Sequence, residues 1–194
     1  MTGAMLAGIE KLLIERKPDW VLIYGDTNST LAAALAAAKL HVPVAHVEAG
    51  LRSYNRRMPE EINRVLADHV SRLLLCPTAA AVDNLAREGI ADGVHMVGDV
   101  MYDAAVFYQD RARQRSMLGE LGVEPGRYFL STCHRAENTD DRARLQSILD
   151  ALSQASRRLP VVLPVHPRTT RRIAEHGLAI EGDIKTIPPV GYLQ

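Results

Sequence analysis

The chain has 194 residues, of which 47% are hydrophobic and 24% are charged, and its 23 basic side chains balance 23 acidic ones. This composition is that of a globular protein with one large domain or two small ones. The zero formal net charge argues against a surface for nucleic acid or anionic membrane, and no segment approaches the roughly 20 apolar residues of a membrane-spanning helix.

The first residues and the two cysteines indicate the compartment. The start of the chain, MTGAMLAGIEKLL, lacks the basic and apolar regions of a secretory signal. Cys76 and Cys133 lie far apart and outside any CxxC pattern, so we expect no disulfide framework and no metal site. Each cysteine is interpreted as a small core residue, and the protein as cytoplasmic.

Short apolar runs alternate with helical patterns along the chain. The runs are rich in Val, Leu and Ile, which is typical of parallel strands that are buried on both faces. The predicted strands lie at 20–25, 42–48, 72–76, 93–98, 127–133 and 159–165. The predicted helices lie at 4–14, 29–40, 59–71, 78–88, 100–118 and 140–157. This alternation predicts an α/β fold with doubly wound parallel sheets and right-handed connections.

A region that is poor in apolar residues divides the chain. Between residues 99 and 127 the sequence has a charged helical pattern and a GVEPGR loop, but no strand pattern. We therefore predict an N-terminal domain over 1–104, followed over 105–194 by a linker helix and the start of a second domain. The first domain opens on a helix and the second has only two or three strands. We expect both to be incomplete, as in a piece of a longer protein.

Two predicted strands end in a carboxylate beside a glycine. In YGDTNST, Asp26 follows the first strand, and in HVEAGLRS, Glu48 ends the second, with His46 and Arg52 nearby. Ligands of open parallel sheets bind beyond the carboxyl ends of the strands. Two structural alternatives stay open: Asp26 could cap the next helix, and Glu48 could form an ion pair with Arg52.

A third acid begins the helix predicted at 59–71, in RMPEEINRVLADHVS. Pro59 suits the first helical position, and Glu60 and Glu61 fall in the first turn, where negative charge is favoured. On a helical wheel the predicted core face consists of Ile62, Val65, Leu66 and His69. Glu60 and Arg64 point away from that face, so the spacing by itself favours a solvated pair between them.

A second polar cluster, STCHRAENTDD, follows the fifth predicted strand. His134 and Arg135 come directly after that strand, and Glu137 and Asn138 precede the next helix. Cations at the end of a strand suit a phosphate or another anion. His166, in LPVHPRT, repeats the arrangement more weakly one strand later. The residues thus predict acids in one half and His and Arg groups in the other, around a ligand with a neutral or cationic part and an anionic part.

Several common site motifs are absent from the sequence. It contains no GxGxxG, GxxxxGK[ST], HExxH or GxSxG stretch, so neither a dinucleotide fingerprint nor a P-loop is predicted. Composition and spacing alone do not name a reaction.

Six stretches together resemble the non-hydrolysing UDP-N-acetylglucosamine 2-epimerase family of bacteria and archaea. They are YGDTNSTLAAALAAAKLHVPVAHVEAGLRS, RMPEEINRVLADHVS, LCPTAAAVDNLAREGI, VGDVMYDA, HRAENTD and PVHPRT. The resemblance runs from about residue 3 to the end of the chain. The family also has an upstream strand with a Gly–Arg loop and a downstream nucleotide-binding segment, neither of which this sequence matches.

This resemblance implies a fold, a reaction and partners. The fold would be two Rossmann-like domains that face a cleft, the glycosyltransferase B-type architecture. The reaction would interconvert UDP-GlcNAc and UDP-ManNAc for cell-surface polysaccharide synthesis, by loss of UDP to give 2-acetamidoglucal and its re-addition. The resemblance implies a nucleotide-sugar ligand, no cofactor, no metal and no nucleic-acid or membrane partner. It also implies a homodimer in a full-length parent.

The resemblance assigns roles to individual residues. It implies that Asp26, Glu48 and Glu60 form the acid–base set and that His134 lies near the leaving diphosphate. It implies substrate-binding roles for Arg52, Arg64, Arg135, Glu137, Asn138 and His166. When the C1–O bond breaks first, an oxocarbenium-like centre makes the C2 proton acidic enough for fixed carboxylates to remove and return it.

Three other interpretations compete with this one. A hydrolysing 2-epimerase would release ManNAc and UDP, although the long HVEAGLRS and RMPEEINR matches favour the non-hydrolysing branch. A B-type glycosyltransferase would have no obvious use for the three acids. The chain could also be a non-catalytic piece, and we expect the 194 residues alone to lack epimerase activity and to self-associate through uncovered sheet edges.

Overall fold

The structure is a computed structural model that describes residues 2–114 and 117–193. The chain divides into two compact units, Met1–Ala105 and Val106–Gln194. Each unit has its own parallel sheet with helices between successive strands. The α/β class with parallel sheets, expected from the alternation of apolar runs and helical patterns, is confirmed.

The first unit has a four-stranded sheet in the order β1-β2-β3-β4, in which every neighbouring pair is parallel. Its strands are β1 (Val21–Tyr24), β2 (Val44–Val47), β3 (Leu73–Cys76) and β4 (Val94–Met96). Its helices are α1 (Thr2–Arg16), α2 (Asn28–Lys39), α3 (Pro59–Val70) and α4 (Ala79–Arg87), and α5 (Val100–Arg113) extends into the second unit. All of these elements were predicted, and the strands are shorter than expected.

The second unit has a three-stranded parallel sheet in the order β5-β6-β7. Its strands are β5 (Phe129–Leu130), β6 (Val161–Pro164) and β7 (Ile184–Ile187). Its helices are α6 (Met117–Glu120), α7 (Ala136–Thr139), α8 (Arg142–Ser156) and α9 (Pro167–Glu175). The helices α7 and α9 and the strand β7 were not predicted. The α9 sequence, PRTTRRIAE, is too polar to show an apolar stripe, and a lysine interrupts the short IKTI strand.

Small residues let the helices of the first unit lie close to the sheet. Alanine is a strong helix former with little bulk, so the Ala-rich α2 can bury a wide face. One core cluster consists of Ile23, Ala34, Ala37, Val44 and Ala67. A second consists of Ala49, Leu74, Cys76, Ala81 and Leu85. None of the helices in residues 2–114 and 117–193 is long and apolar enough to cross a membrane.

The register of β1 and β2 brings the two strand-end acids to the same edge of the sheet. Tyr24 is paired with Val47, and the Gly25 N–H donates a hydrogen bond to the Val47 carbonyl at 3.1 Å. Asp26 and Glu48 are the residues that directly follow these pairs. The two segments therefore leave neighbouring strands side by side, at the edge where parallel sheets bind ligands.

The predicted core face of α3 is wrong. Ile62 and Leu66 are 46% and 43% exposed, and His69 is also exposed. The buried residues of this helix are instead Glu61, Asn63, Ala67 and Asp68. The three polar side chains among them point inward because backbone groups and buried side chains at the sheet edge form hydrogen bonds with them. A search for apolar positions in the sequence could not predict the burial of polar residues.

Gly50 allows the segment after β2 to pass directly over α4, which makes its replacement a test of this packing. A Cβ on Gly50 would lie 2.4 Å from the Ala81 carbonyl oxygen, whereas a Cβ on Gly89, which has the same φ of +79°, would have no neighbour within 4 Å. Left-handed backbone costs an alanine about 1 kcal/mol at either position. We expect Gly50→Ala to lower the free energy of unfolding by about 1–3 kcal/mol more than Gly89→Ala, because of the added clash.

Urea unfolding followed by the fluorescence of Trp20, the one tryptophan in the chain, measures this difference. Trp20 directly precedes β1, so it reports on the unit that contains both glycines. Equal losses in the two variants would contradict the close approach of Gly50 to α4.

Candidate active site

Asp26 lies in the turn between β1 and α2. Its carboxylate accepts a hydrogen bond from the Arg64 guanidinium, and its backbone carbonyl accepts one from the Asn63 amide at 2.9 Å. The N-cap of α2 is Thr27, whose side chain accepts from the Thr30 N–H. The helix-cap alternative for Asp26 is therefore wrong. Its side chain remains 30% exposed, so the carboxylate is held in place and still reaches solvent.

Glu48 directly follows β2 in a left-handed backbone conformation, with φ +69°. Such a conformation is uncommon for a residue other than glycine and persists where the surroundings hold it. The residue is half-buried, and its Oε2 lies 3.2 Å from the place that a Cβ on Gly25 would occupy. The absence of a side chain at Gly25 therefore makes room for the Glu48 carboxylate beside the turn that carries Asp26.

The N-terminus of α3 joins the same turn. Asn63 and Arg64 both contact the segment that follows β1, and the exposed Glu60 lies one helical turn earlier. Residues three and four apart share a helix face, so Glu60 lies on the face that meets Asp26. The solvated Glu60–Arg64 pair does not form, because Arg64 is paired with Asp26 and lies 3.6 Å from Glu61.

Glu61 holds the loop between β2 and α3. It is 3% exposed, and its carboxylate accepts hydrogen bonds at 2.8 Å from the Ser53 N–H, the Ser53 hydroxyl and the Tyr54 N–H. Burial works against its charged form. These donors and the nearby Arg64 outweigh burial and lower the pKa of Glu61. The residue pattern along the chain indicates no such role for this side chain.

This lowered pKa predicts how stability changes with pH. A carboxyl group whose pKa is lower in the folded state stabilises the fold above its unfolded pKa of about 4.3, and this contribution is lost as the pH falls through the folded pKa. We expect the free energy of unfolding to decline over that acidic range and Glu61→Gln to reduce the decline. Urea titrations at a series of pH values, followed by Trp20 fluorescence, measure both curves, and parallel curves would contradict the role of Glu61.

A largely buried chain of polar and charged side chains lies behind these acids. His46 Nδ1 is 2.7 Å from Asp68 Oδ1, and Asp68 Oδ2 accepts from the Gly50 N–H at 3.1 Å and from Arg52 Nη1 at 2.7 Å. Arg52 then donates two hydrogen bonds of 2.7 Å to the two oxygens of Glu88. The chain ties β2, the following loop, α3 and the end of α4 together.

Arg52 is part of this chain and does not face the open edge of the sheet. Its side chain is 1% exposed, and Nη1 also donates to the Leu51 carbonyl at 2.7 Å. Burial lowers the pKa of Arg52, but the hydrogen bonds to Glu88 and Asp68 outweigh burial and raise it. The structural pair between Glu48 and Arg52 is therefore wrong. The geometry is that of a residue that supports the loop, and the substrate-binding role implied by the resemblance stays a prediction.

The second unit has its own cavity, of about 320 Å³, at the carboxyl ends of β5 and β6. Its lining consists of Thr132, His134, Pro164, His166, Arg168 and Pro189. His166 is also the N-cap of α9, where its Nδ1 accepts a hydrogen bond from the Arg168 N–H at 3.2 Å. The two histidines that the sequence analysis singled out thus line one cavity, next to the positive end of a helix dipole.

Arg135, Glu137 and Asn138 lie in the next turn and do not line this cavity. Arg135 is the N-cap residue of α7, and its carbonyl accepts from the Asn138 N–H at 3.0 Å. Arg135 and Glu137 are exposed, and Asn138 is half-buried. Among the residues that the structure describes, no group of three or more His, Cys, Asp or Glu side chains is arranged for a metal ion.

Two contacts fix α9 beside the cavity, and the sequence analysis missed both. The exposed Asp140 accepts two hydrogen bonds from Arg168, at 2.9 and 2.7 Å, and one from Arg172 at 2.9 Å. The bond from Arg168 is the main cause of the lowered pKa of Asp140. The Thr169 hydroxyl donates to the Cys133 carbonyl at 2.9 Å. These contacts hold the first turn of α9 against the segments that follow β5.

Comparison with known proteins gives one consistent family. A family model described as "UDP-N-acetylglucosamine 2-epimerase" matches residues 1–194. The chain is 56% identical to a UDP-2,3-diacetamido-2,3-dideoxy-D-glucuronate 2-epimerase of Pseudomonas aeruginosa, over all of this chain and 54% of that protein. It is 44% identical to a UDP-N-acetylglucosamine 2-epimerase of Methanococcus maripaludis, over all of this chain and 56% of that one. The chain thus spans about half the length of the curated relatives it matches.

Solved structures agree with the sequence relatives. The crystal structure of Methanocaldococcus jannaschii UDP-GlcNAc 2-epimerase in complex with UDP-GlcNAc and UDP matches 99% of this chain and 55% of that one, with 44% identity and a TM-score of 0.87. The enzyme from Neisseria meningitidis, bound to UDP-GlcNAc, matches 99% of this chain and 55% of that one, with 29% identity and a TM-score of 0.84.

Proposed function

The chain belongs to the UDP-N-acetylglucosamine 2-epimerase family, and we propose that it supplies the acid–base residues of a nucleotide-sugar 2-epimerase. The reaction is the interconversion of UDP-GlcNAc and UDP-ManNAc. The observation that carries this proposal is the placement of Asp26 and Glu48 directly after two paired strands, with the Glu60 face of α3 joined to Asp26 through Arg64. This arrangement supports the proposal that acids from three segments serve one site at this edge of the sheet.

The chemistry gives each acid a different task. Cleavage of the C1–O bond leaves positive charge near C1, and a fixed carboxylate stabilises it. Asp26 suits this role because Arg64 and Asn63 hold it in place. Glu48 and Glu60 have no ion-pair partner among residues 2–114 and 117–193, so their carboxyl groups are available for proton exchange. We assign the removal and return of the C2 proton, on opposite faces of the sugar, to these two.

The leaving diphosphate requires cationic and N–H donors, which the second unit offers. We assign it to the cavity lined by His134 and His166. The positive end of the α9 dipole adds to the attraction for an anion there, as in other anion sites at helix N-termini. No nicotinamide or metal enters this scheme. We further propose that the enzyme is a cytoplasmic homodimer that makes precursors of cell-surface polysaccharides.

A second candidate substrate is UDP-2,3-diacetamido-2,3-dideoxy-D-glucuronate. The observation that favours it is the 56% identity to the Pseudomonas aeruginosa relative of that name, compared with 44% for the Methanococcus maripaludis UDP-N-acetylglucosamine 2-epimerase. This sugar differs from GlcNAc by a second acetamido group and a carboxylate. The chemistry at C2 is the same, so the three acids would serve both substrates.

One assay tests the reaction and the choice of substrate together. A full-length parent that contains this chain is incubated in deuterated water with each nucleotide sugar in turn, and deuterium at C2 and the products are followed by NMR. We expect C2 exchange and formation of the 2-epimer still joined to UDP. Free ManNAc and UDP would indicate the hydrolysing reaction, and faster exchange with the diacetamido sugar would select that substrate. No exchange with either sugar would contradict the proposed function.

A further inference from the structure

Asn28 is a half-buried residue at the start of α2, two positions after Asp26, and the proposed chemistry does not use it. Its Oδ1 lies 3.1 Å from Asn63 Nδ2, and the same nitrogen lies 2.9 Å from the Asp26 carbonyl oxygen. The buried Asn63 side chain, which is 5% exposed, therefore bridges Asp26 and Asn28. Asn28 belongs to the edge of the sheet that carries the proposed acids.

The contacts of Asn63 determine which way both side-chain amides face. A backbone carbonyl oxygen can only accept a hydrogen bond, so Asn63 must turn its NH₂ group, and not its oxygen, toward Asp26. This group has two N–H bonds, and the second is directed at Asn28. An N–H donor requires an acceptor, so Asn28 faces Asn63 with its oxygen. Its own NH₂ group is then turned away from Asn63.

The hydroxyl groups of the same turn are used by one another. Thr30 Oγ1 donates to the Tyr24 carbonyl at 2.7 Å, so in its contact of 3.0 Å with the Thr27 hydroxyl it is the acceptor. Thr27 donates there, and it therefore accepts from the Ser29 hydroxyl at 2.8 Å. Each of the three hydroxyl hydrogens thus has an acceptor within this part of the chain. The NH₂ group of Asn28, by contrast, has no hydrogen-bond partner among the residues that the structure describes.

The charged groups at this edge of the sheet favour a neutral acceptor for that NH₂ group. The proposed acids bring three carboxyl groups, those of Asp26, Glu48 and Glu60, and Arg64 brings a guanidinium that contacts Asp26. An anionic oxygen, such as one of a phosphate, would be repelled by the excess of carboxylates. A carbonyl oxygen has no net charge and only accepts hydrogen bonds, so it matches a free NH₂ group.

Both candidate sugars carry such an oxygen next to the reacting carbon. UDP-GlcNAc and the diacetamido glucuronate each have an acetamido group at C2, the carbon whose proton is assigned to Glu48 and Glu60. A hydrogen bond from Asn28 to the acetamido carbonyl would fix the rotation of this group beside the C2–H bond. Holding the reacting groups in one orientation is a large part of the rate that enzymes gain.

We propose that Asn28 is a further substrate-binding residue, whose NH₂ group donates a hydrogen bond to the C2 acetamido carbonyl oxygen of the nucleotide sugar. Asn63 is its positioning residue, because it fixes the orientation of the Asn28 amide and holds Asp26 in the same turn. The inference deepens the proposed function and rests on it for the identity of the ligand. It gives the turn after β1 two tasks, charge stabilisation by Asp26 and recognition of the acetamido group by Asn28.

Binding measures this recognition without turnover. In a full-length parent that contains this chain, calorimetry compares UDP-GlcNAc with UDP-glucose, which has a hydroxyl group at C2 instead of the acetamido group. We expect the parent to prefer UDP-GlcNAc, and Asn28→Ala to reduce this preference by about 3- to 10-fold, the range for one neutral hydrogen bond. The affinity for UDP itself should not change. Equal preferences in parent and variant, or a matching loss of UDP binding, would overturn the inference.

A second variant separates the NH₂ group from the bridge to Asn63. Asn28→Asp keeps an oxygen for Asn63 but has no N–H, so it should lose the preference as Asn28→Ala does. Asn55→Asp is the matched control, because the exposed Asn55 also accepts a backbone N–H through its Oδ1, and it should leave the preference unchanged. An Asn28→Asp variant that keeps the parent's preference would overturn the inference. A parent that shows the preference but no exchange at C2 would contradict the proposed function alone.

Discussion

Replacing Glu48 by glutamine in a full-length parent is expected to lower kcat by about 10²-fold or more, the usual scale for the loss of a general acid–base group, while UDP binding stays nearly intact. Glutamine has the shape of glutamate but cannot take or return a proton. Glu48 has no ion-pair partner among residues 2–114 and 117–193, so the substitution breaks no salt bridge. It also follows β2 in the first unit, whereas the proposed diphosphate cavity is built from the second.

The measurement combines turnover with calorimetric titration by UDP. Glu10→Gln, an exposed position on α1, is the matched control and should change neither quantity. Loss of deuterium exchange at C2 in the Glu48→Gln variant, in parallel with kcat, would locate the defect in proton transfer. An equal loss of UDP binding and turnover would instead show that Glu48 supports the fold of the site, and it would contradict the acid–base role.

The strands and the strand-end acids could be predicted because their signals are local. The run before Asp26 is continuously apolar and the run before Glu48 is apolar except for His46, which is the pattern of buried parallel strands. The rule that ligands bind beyond the carboxyl ends of such strands then singles out both acids before any coordinates are known. The same rule identified His134 and His166, which line one cavity in the second unit.

The buried network could not be predicted because its partners are far apart in sequence. His46 and Asp68 are 22 residues apart, and Arg52 and Glu88 are 36 residues apart. On a helical wheel Asp68 lies outside the apolar stripe, which therefore favoured the wrong core face for α3. An aspartate near the end of a helix carries no sign of burial in its own residue type. Its burial follows from its hydrogen-bond partners, and only the tertiary structure shows which residues these are.

This network leads to the largest expected effect on stability. Replacing Arg52 by alanine should lower the free energy of unfolding by about 3–5 kcal/mol, the usual cost of removing one partner from a buried ion pair. The side chains of Arg52 and Asp68 are 1% and 0% exposed, so water cannot replace the lost guanidinium without opening the structure. Asp68 would then be left as a buried negative charge, with its hydrogen bonds to His46 and the Gly50 N–H as its remaining support.

The loss should be specific to the buried charge rather than to any arginine in this region. Arg87→Ala, one residue before Glu88 but exposed, is the matched control, and we expect it to change the free energy of unfolding by less than about 0.5 kcal/mol. Urea unfolding followed by Trp20 fluorescence reports on the first unit alone, which avoids averaging over two units. A second variant, Arg52→Ala with Asp68→Asn, also removes the unpaired negative charge of Asp68 and should recover part of the stability. If Arg52→Ala lowered the free energy of unfolding no more than Arg87→Ala, the network would add nothing to the stability of the fold. Asp68 would then be hydrated or protonated in the variant.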